Sequence, residues 1–266
     1  MTKEELNARF CNNEKINRPN LYRSCVEFSW EKQKEDFAKI ILINLFAFHE
    51  SWIENILNEL DKSAHSRIKG MQFPSMPTKQ GVFDILKDLL SSRSHELTDA
   101  FYSIYSSNKK FSLDKLNNLL ICYRYFKECR NCFMHAGGLV SKHLTEASQL
   151  YASLTANDLN TNVKPEATIF SLNDKVDLKL EGVVGFADII LQIITTIDAE
   201  LIQSIDSEKV FINRVNEFIG NKPQTIDINP KVKAKKIKSI VQQSGFAMPA
   251  NMDALERLMR KEGVVK

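Results

Sequence analysis

The residues with the clearest potential for chemistry lie in one short segment, Arg130-Asn131-Cys132-Phe133-Met134-His135. Arg130 supplies a permanent cation, Asn131 an amide, and His135 an imidazole, a group that gains and loses a proton near neutral pH. On a helix, Asn131 and His135 share one line, next to the row that contains Arg130. The three side chains therefore form one polar patch that suits the binding of an anion. Gly137-Gly138 follows the patch, and a backbone without side chains lets a ligand approach closely.

The helix that carries this segment is predicted to begin with Ser112 as its N-cap and to end near Ala136, before the two glycines. Its apolar stripe consists of Leu116, Leu119, Leu120, Tyr123, Phe126, Phe133 and Met134. At about 100° per residue, Arg130 falls in the middle of that stripe. Burying an unpaired guanidinium is costly, so Arg130 requires a carboxylate, a bound anion or a partner subunit.

Glu50 is the candidate carboxylate for Arg130. It lies in the first long helix, in Phe48-His49-Glu50-Ser51-Trp52, with apolar residues one and two turns away on the same face. A carboxylate and a guanidinium that both occupy apolar surroundings are most simply explained as a pair across two packed helices. The sequence therefore predicts that Glu50 neutralises and orients Arg130.

Other interpretations of these residues stay open on sequence grounds. His135 near a helix C-terminus can simply interact with the helix dipole, and Arg130 can belong to a structural ion pair. Cys122, Cys129, Cys132 and His135 invite a zinc interpretation, but a single straight helix hardly supplies four tetrahedral ligands. The cysteines are better explained as small buried apolar residues.

The composition indicates a globular protein without a strong overall charge. The chain has 266 residues, of which 43% are hydrophobic and 26% charged, and its formal net charge is only +3. This balance excludes a strongly basic nucleic-acid coat but is compatible with a local basic groove. The start, Met1 to Leu6, lacks the features of a signal peptide, and the most apolar run, Ile40 to Phe48, is far shorter than the roughly 20 residues of a membrane span. With five cysteines and no secretory context, the sequence predicts a cytoplasmic protein with reduced thiols and no membrane association.

The hydrophobic periodicity predicts a mainly α protein. Phe28 to Leu60 is expected to form one long, central, buried helix, because apolar residues cover nearly its whole circumference. Further helices are predicted over 82–105, with a break at 91–94, and over 144–154, 183–205 and 206–219. Thr168 to Leu172 and Val176 to Leu180 alternate around Asn173-Asp174, which predicts one small β-hairpin. Trp30 and Trp52 are interpreted as core residues.

The composition changes after Gly220, and this divides the chain into a helical domain over 1–220 and a basic C-terminal helical tail over 221–266. Residues 221–230 have the character of a linker, and 251–261 that of a short charged helix. The lysine run of the tail contains Lys231, Lys233, Lys235, Lys236 and Lys238. Such a run can track an RNA backbone, or it can form an ordinary solvated helix face.

Further candidates for RNA contacts lie beside the segment 130–135. Arg124 and Lys127 could bind phosphates, and Tyr123 and Tyr125 could stack on bases. Because Tyr123 belongs to the apolar stripe, core packing is the better interpretation for that residue.

Taken together, these features resemble the HEPN domain family. The string Arg130-Asn131-x-x-x-His135 is similar to the family's Arg-x(4–6)-His signature, in which a polar residue, often Asn, follows the arginine. An acid in the first long helix, here Glu50, and small residues after the signature, here Ala136-Gly137-Gly138, also match. In one prokaryotic branch of the family a short hairpin and a long apolar helix come next, as predicted here for 168–180 and 183–205. The resemblance covers about residues 30–205 and implies a HEPN-like helical bundle with the hairpin as an insertion. It does not extend to the basic tail.

The resemblance implies a homodimer in which two Arg130/His135 pairs meet at a symmetric interface. One His135 would deprotonate a ribose 2′-hydroxyl, which attacks the adjacent phosphate, and the other His135 would protonate the leaving 5′-oxygen. Arg130 would stabilise the developing charge, and Asn131 would orient His135 or hold a phosphate oxygen. The implied activity is a metal-independent endoribonuclease without a cofactor, whose products carry a 2′,3′-cyclic phosphate and a 5′-hydroxyl.

The resemblance also bears on partners. Prokaryotic relatives of this type are often toxins or antiviral effectors, which implies tRNA or other single-stranded regions of RNA as the substrate. Because an unregulated ribonuclease would harm its host, an antitoxin or another regulatory protein is expected as a partner. Two alternatives remain: a HEPN-like module that binds RNA or protein without cutting, and a structural helical dimer with a buried Glu50–Arg130 pair.

Overall fold

The computed structural model describes residues 2, 5, 26–220, 222–226 and 229–266, and it is 66% helical. The helices are α1 (Trp30–Glu59), α2 (His65–Gly70), α3 (Val82–Leu89), α4 (95–106, with a π-helical turn over Thr98–Tyr102), α5 (Leu116–His135), α6 (Lys142–Ala152), α7 (Leu180–Leu201), α8 (Ile205–Ile219), α9 (Pro230–Ser244) and α10 (Met252–Lys261). The described residues contain no strand or sheet. The predicted mainly α fold class is therefore confirmed.

Local capping signals explain where the helices of the site begin. The Ser29 hydroxyl accepts a hydrogen bond from the Lys32 backbone N–H at 3.2 Å, and α1 starts there. Ser112, the predicted N-cap of α5, makes no capping bond with its side chain. Its hydroxyl instead accepts a bond from the Asn160 amide at 2.6 Å, and a 3₁₀ turn, Leu113–Lys115, leads into α5. The predicted cap is wrong, although the helix itself is present.

The larger of two hydrophobic cores forms around α5. This helix packs against α6 and α7, and α1 packs against both α5 and α7. Tyr123 and Phe126 of α5 are fully buried, and the Phe126 ring stacks on Phe186 of α7 at a centroid distance of 4.4 Å. Burial of large aromatic side chains on α5 fixes the position of its last turn relative to α1.

α1 has an exposed apolar face and is not the central buried helix that the sequence predicts. Only one side of it meets α5 and α7 within this chain. On the other side, Phe37, Ile40 and Phe48 are 54%, 58% and 54% exposed, and Ile43 lies at their border at 36%. These four residues are called the apolar face of α1 below. Trp30 is also exposed, contrary to its interpretation as a core residue, whereas Trp52 is half-buried against the core.

The predicted β-hairpin is wrong. Residues 173–176 pair with residues 138–140, the chain directly after α5: the Val140 N–H donates to the Asp174 carbonyl at 2.8 Å, and the Val176 N–H to the Gly138 carbonyl at 2.9 Å. The other predicted strand is held by side chains, since the Thr168 N–H donates to the Tyr125 hydroxyl at 3.1 Å. An isolated hairpin is only marginally stable, and here the extended chain finds its hydrogen bonds on neighbouring elements.

The chain after Gly220 belongs to a second hydrophobic core. Ile237 and Val241 of α9 and Leu255 of α10 are buried there together with residues of α4 and α8. Residues 224–226 run beside the last residues of the chain, with the Gln224 N–H donating to the Val264 carbonyl at 2.9 Å. The predicted boundary at residue 220 therefore falls inside one core, between α8 and α9.

Within the described residues, α1 and α7 are long and apolar enough to cross a membrane by length and composition alone. In the most apolar window of each, 28% of α1 and 50% of α7 are buried inside the structure. Core helices of soluble proteins have the same properties, so the lack of membrane association stays a prediction.

Candidate active site

The segment Arg130–His135 forms the last turn of α5, at the edge of the larger core. His135 is the final helical residue and is exposed. Gly137 and Gly138, with φ angles of 59° and 81°, turn the chain away from the helix, and the Gly138 N–H donates to the Cys132 carbonyl at 2.9 Å. This is the left-handed helix end that the two glycines predict.

Asn131 does not orient His135 in the isolated chain, because no hydrogen bond joins the two side chains in the part that the structure describes. The Asn131 amide instead forms hydrogen bonds with two side chains of its own helix. Its oxygen accepts a bond from Arg130 and its nitrogen donates to Glu128, both at 3.4 Å. These bonds are long, which leaves the amide free to rearrange around a ligand.

Glu50 forms its ion pair with Lys127 and not with Arg130. The Glu50 Oε1 lies 3.4 Å from the Lys127 ammonium, which also donates to the side-chain oxygen of Gln72. Burial lowers the pKa of Lys127, although the nearby Glu50 carboxylate raises it. The predicted Glu50–Arg130 pair is therefore wrong, and Lys127, predicted to contact RNA, is already engaged inside the protein.

The register of two antiparallel helices explains this outcome. Lys39 of α1 lies over the Phe133 ring of α5, and Phe46 lies beside Arg130. Glu50 comes one turn after Phe46, and because the helices run in opposite directions it faces the preceding turn of α5, where Lys127 lies.

Arg130 is consequently a half-buried cation for which the described residues provide no carboxylate. Its guanidinium carbon lies 6.0 Å from the centre of the Phe46 ring, and its Nε atom is buried without a hydrogen-bond partner. A cation–π contact contributes about 0.5–2 kcal/mol, which offsets only part of the cost of burying an unpaired charge. Two of the compensations expected from the sequence remain, a bound anion and a partner subunit.

Two buried polar side chains lie beside this arginine. Both ring nitrogens of His49 and the hydroxyl of Tyr123 have no hydrogen-bond partner, and the two rings are 4.9 Å apart. Burial, with a contribution from the Lys127 charge, lowers the pKa of His49 to about 3. Burial, with a contribution from Glu50, raises the pKa of Tyr123. His49 is therefore neutral at physiological pH and adds no further positive charge beside Lys127.

A cleft of about 390 Å³ opens beside Asn131. We call it the basic cleft, and its polar and aromatic lining consists of Lys69, Phe73, Lys79, Arg124, Glu128, Asn131 and His143. The three residues from α5 share one face of that helix, and the others come from α2, the 70–81 loop and α6. Three permanent cations face one carboxylate there, so the cleft suits an anionic ligand.

The remaining residues predicted to bind RNA fall in different places. Arg124 lines the basic cleft. Tyr123 and Tyr125 are fully buried and offer no face for stacking. The lysines of the tail lie on α9, which packs against α8 and α10 in the second core. There Lys233 pairs with Glu256 at 2.8 Å and Lys236 donates to Gln224 at 2.8 Å, whereas Lys231, Lys235 and Lys238 are exposed.

The cysteines of α5 are buried in the core with free thiols, and burial raises the pKa of Cys122 to about 12 and that of Cys129 as well. No group of three or more potential ligands is placed to hold a metal ion within the described residues. The zinc interpretation therefore receives no support from the placement of Cys122, Cys129, Cys132 and His135.

The side chains that complete the basic cleft do not follow from the spacing of the motif. Lys69, Phe73 and Lys79 flank or belong to a stretch rich in glycine and proline, a composition that indicates a loop and no particular site. Two lysines on either side of an aromatic residue in such a loop are the sequence feature that could indicate a nucleic-acid contact. His143 offered no signal, because its position depends on how α6 packs on α5.

Comparisons with models of protein families, with curated proteins and with solved structures give no match for this chain.

Proposed function

We propose that this chain is a HEPN-type endoribonuclease that cuts RNA without a metal ion and acts as a homodimer. Arg130 carries the proposal. It is a half-buried guanidinium without a carboxylate partner among the described residues, five positions before an exposed histidine at the end of the same helix. An arginine kept in this state is suited to bind a phosphate, because a structural role would require a partner inside the chain.

In the proposed reaction, one His135 accepts the proton of a ribose 2′-hydroxyl as its oxygen attacks the adjacent phosphorus. The bond between phosphorus and the 5′-oxygen breaks, and the His135 of the second protomer donates a proton to that oxygen. Arg130 binds the non-bridging oxygens, whose negative charge increases in the transition state. The products are a 2′,3′-cyclic phosphate and a 5′-hydroxyl.

The exposed surface around the motif supports the homodimer. Met134 is 51% exposed on the last turn of α5. Lys39 and Phe46 of α1 contact this end of α5, and Ile43 of the apolar face lies between them along α1. Exposed apolar side chains on α1 and on the last turn of α5 are suited to pack against a second copy of the same surface.

A role as a toxin or antiphage-defence effector in the cytoplasm is part of the proposal and depends on the resemblance to HEPN domains alone. Its test is induced expression in a bacterial host. Growth arrest by the wild type, and normal growth with Arg130→Ala at equal protein level, is the expected result.

The direct test is cleavage of tRNA and of a single-stranded RNA oligonucleotide in excess EDTA. Arg130→Ala and His135→Ala should each lower the rate by at least about 100-fold, because each removes a group that acts on the reacting atoms. His95→Ala is the matched control and should cleave like the wild type. His95 is exposed on α4, a helix that belongs to the second core. A 2′-deoxy substitution at the cut site should abolish cleavage. Full activity in His135→Ala would contradict the mechanism.

A non-catalytic RNA- or protein-binding module is the second candidate. It is favoured by His135, whose imidazole has no hydrogen-bond partner to orient it in the described chain. RNA binding by the wild type without any cleavage, as a dimer and at neutral pH, would favour this candidate.

A further inference from the structure

We propose that the basic cleft binds one nucleotide of a single-stranded RNA next to the scissile phosphate, and that it prefers bases with an amino group over uracil. This inference rests on the proposed function, since it names the substrate class of the same site. Asn131 belongs both to the motif and to the cleft lining, so a nucleotide in the cleft would place its neighbouring phosphate beside Arg130.

The aromatic wall of the cleft indicates where a base would bind. Phe73 is half-buried and holds the ammonium groups of Lys79 and Lys127 at 4.8 Å and 5.4 Å from its ring centre. Pro74 and Met76 continue this wall. Lys79 is exposed and its ammonium forms no ion pair with a described residue, so a base can replace it on the ring. A base can reach such a wall only when it is not stacked in a duplex, which selects single-stranded RNA.

The cations of the cleft indicate where phosphates would bind. Lys69 and Lys79 are exposed, Arg124 is half-buried, and none of the three forms an ion pair with a described residue. They are therefore available to neutralise the phosphates on either side of the bound base. The cleft's volume of about 390 Å³ is at the lower end of the range of small-ligand sites.

Glu128 sets the preference among bases. Its carboxylate has no ion pair among the described residues and accepts only the long bond from Asn131. A carboxylate repels phosphate, so within an RNA site it must face the edge of a base. Adenine, cytosine and guanine present amino groups that donate to a carboxylate. Uracil has only its N3–H to donate on that edge, and the two carbonyl oxygens on either side of it repel the carboxylate.

The test measures the anisotropy of fluorescein-labelled RNA octamers of A, C or U with the full chain carrying His135→Ala, so that the RNA stays intact. The parent should bind A and C about tenfold more tightly than U. Glu128→Gln should remove this preference. Phe73→Leu should weaken binding of the A and C octamers about tenfold, since it removes the stacking ring but keeps an apolar side chain. Lys79→Ala should weaken all three octamers alike and lower the salt dependence.

Lys109→Ala is the matched control, because this exposed lysine of the loop after α4 forms no ion pair with a described residue and lines no part of the cleft. It should bind like the parent. Unchanged binding in Lys79→Ala and Phe73→Leu, or no binding of any octamer by the parent, would contradict RNA binding in the cleft. This conclusion would hold whether or not the wild type cleaves RNA. Binding that follows the predicted pattern, with no cleavage of RNA by the wild type, supports the cleft and contradicts the proposed cleavage.

Discussion

Two cations one turn apart on α5 have opposite roles at the residue scale. Lys127 has a carboxylate, an amide oxygen and two aromatic rings around its ammonium, so its charge is satisfied within the chain. Arg130 has an aromatic ring and a weak bond to its neighbour. Lys127 therefore stabilises the contact between α1 and α5, and the charge of Arg130 is available for an external group.

This difference predicts opposite effects of removing each charge. Lys127→Met should lower the free energy of unfolding by about 1–3 kcal/mol, because it leaves the half-buried Glu50 without its partner. Arg130→Met should change it by less than about 1 kcal/mol or raise it, because no described carboxylate loses a partner. Urea unfolding followed by circular dichroism measures both variants.

A larger loss for Arg130→Met than for Lys127→Met would return Arg130 to a structural role. It would also favour the purely structural helical dimer among the original hypotheses.

His49 makes the stability of the α1–α5 contact dependent on pH. Its pKa in the folded chain, about 3, is below its ordinary value of 6.5. Between these values the unfolded chain binds a proton that the folded chain excludes, so stability falls as the pH falls. In His49→Leu, the slope of the unfolding free energy against pH should be smaller by about 1.4 kcal/mol per pH unit between about pH 4 and pH 5.5.

Chemical denaturation at several pH values measures these slopes. Equal slopes for the wild type and His49→Leu would show that His49 becomes protonated in the folded protein.

At the scale of the elements, the sequence predicts what depends on neighbouring residues in the chain. The course of α5 and its end follow from apolar spacing and from Gly137-Gly138, and both are confirmed. The register between α1 and α5 does not follow from either helix alone. Glu50 and Arg130 both require partners, but only the packed pair of helices shows that Glu50 meets Lys127 one turn away.

The two elements that the sequence analysis describes incorrectly fail for related reasons. The alternation over 168–180 identifies extended chain and a real turn at Asn173, but the hydrogen-bond partner is the distant segment 138–140. The apolar circumference of α1 was interpreted as burial within this chain. The apolar face remains uncovered because no other helix of the described residues packs on it.

At the scale of the whole molecule, two hydrophobic cores stabilise different sets of helices. The larger one, around α5, positions the motif and the basic cleft, whereas the second one contains α4, α8, α9 and α10. The lysines of α9 lie on the second core, so their RNA-binding role stays a prediction separate from the cleft. The cleft itself combines residues of α2, the 70–81 loop, α5 and α6, which is why spacing within one helix could not identify it.

The homodimer is the prediction that belongs to the whole molecule. A protomer that exposes Phe37, Ile40 and Phe48 on one helix presents an apolar surface larger than isolated side chains would. In size-exclusion chromatography with light scattering, the wild type should have twice the chain mass of 30.5 kDa. Phe48→Glu should shift it to the monomer mass, because a symmetric interface receives two carboxylates for each substitution.

Val163→Glu is the control for this substitution, because it adds the same charge away from α1. Val163 is 79% exposed and lies in the loop between α6 and α7. It should stay dimeric and keep any cleavage activity. Phe48→Glu should lose cleavage together with dimer formation, although Phe48 lies outside the Arg130–His135 segment, because the proposed reaction needs His135 from both protomers. A monomeric wild type that sediments with phosphatidylcholine vesicles would instead assign the apolar face of α1 to a membrane. A monomeric Phe48→Glu variant with full activity would show that one chain contains a complete active site.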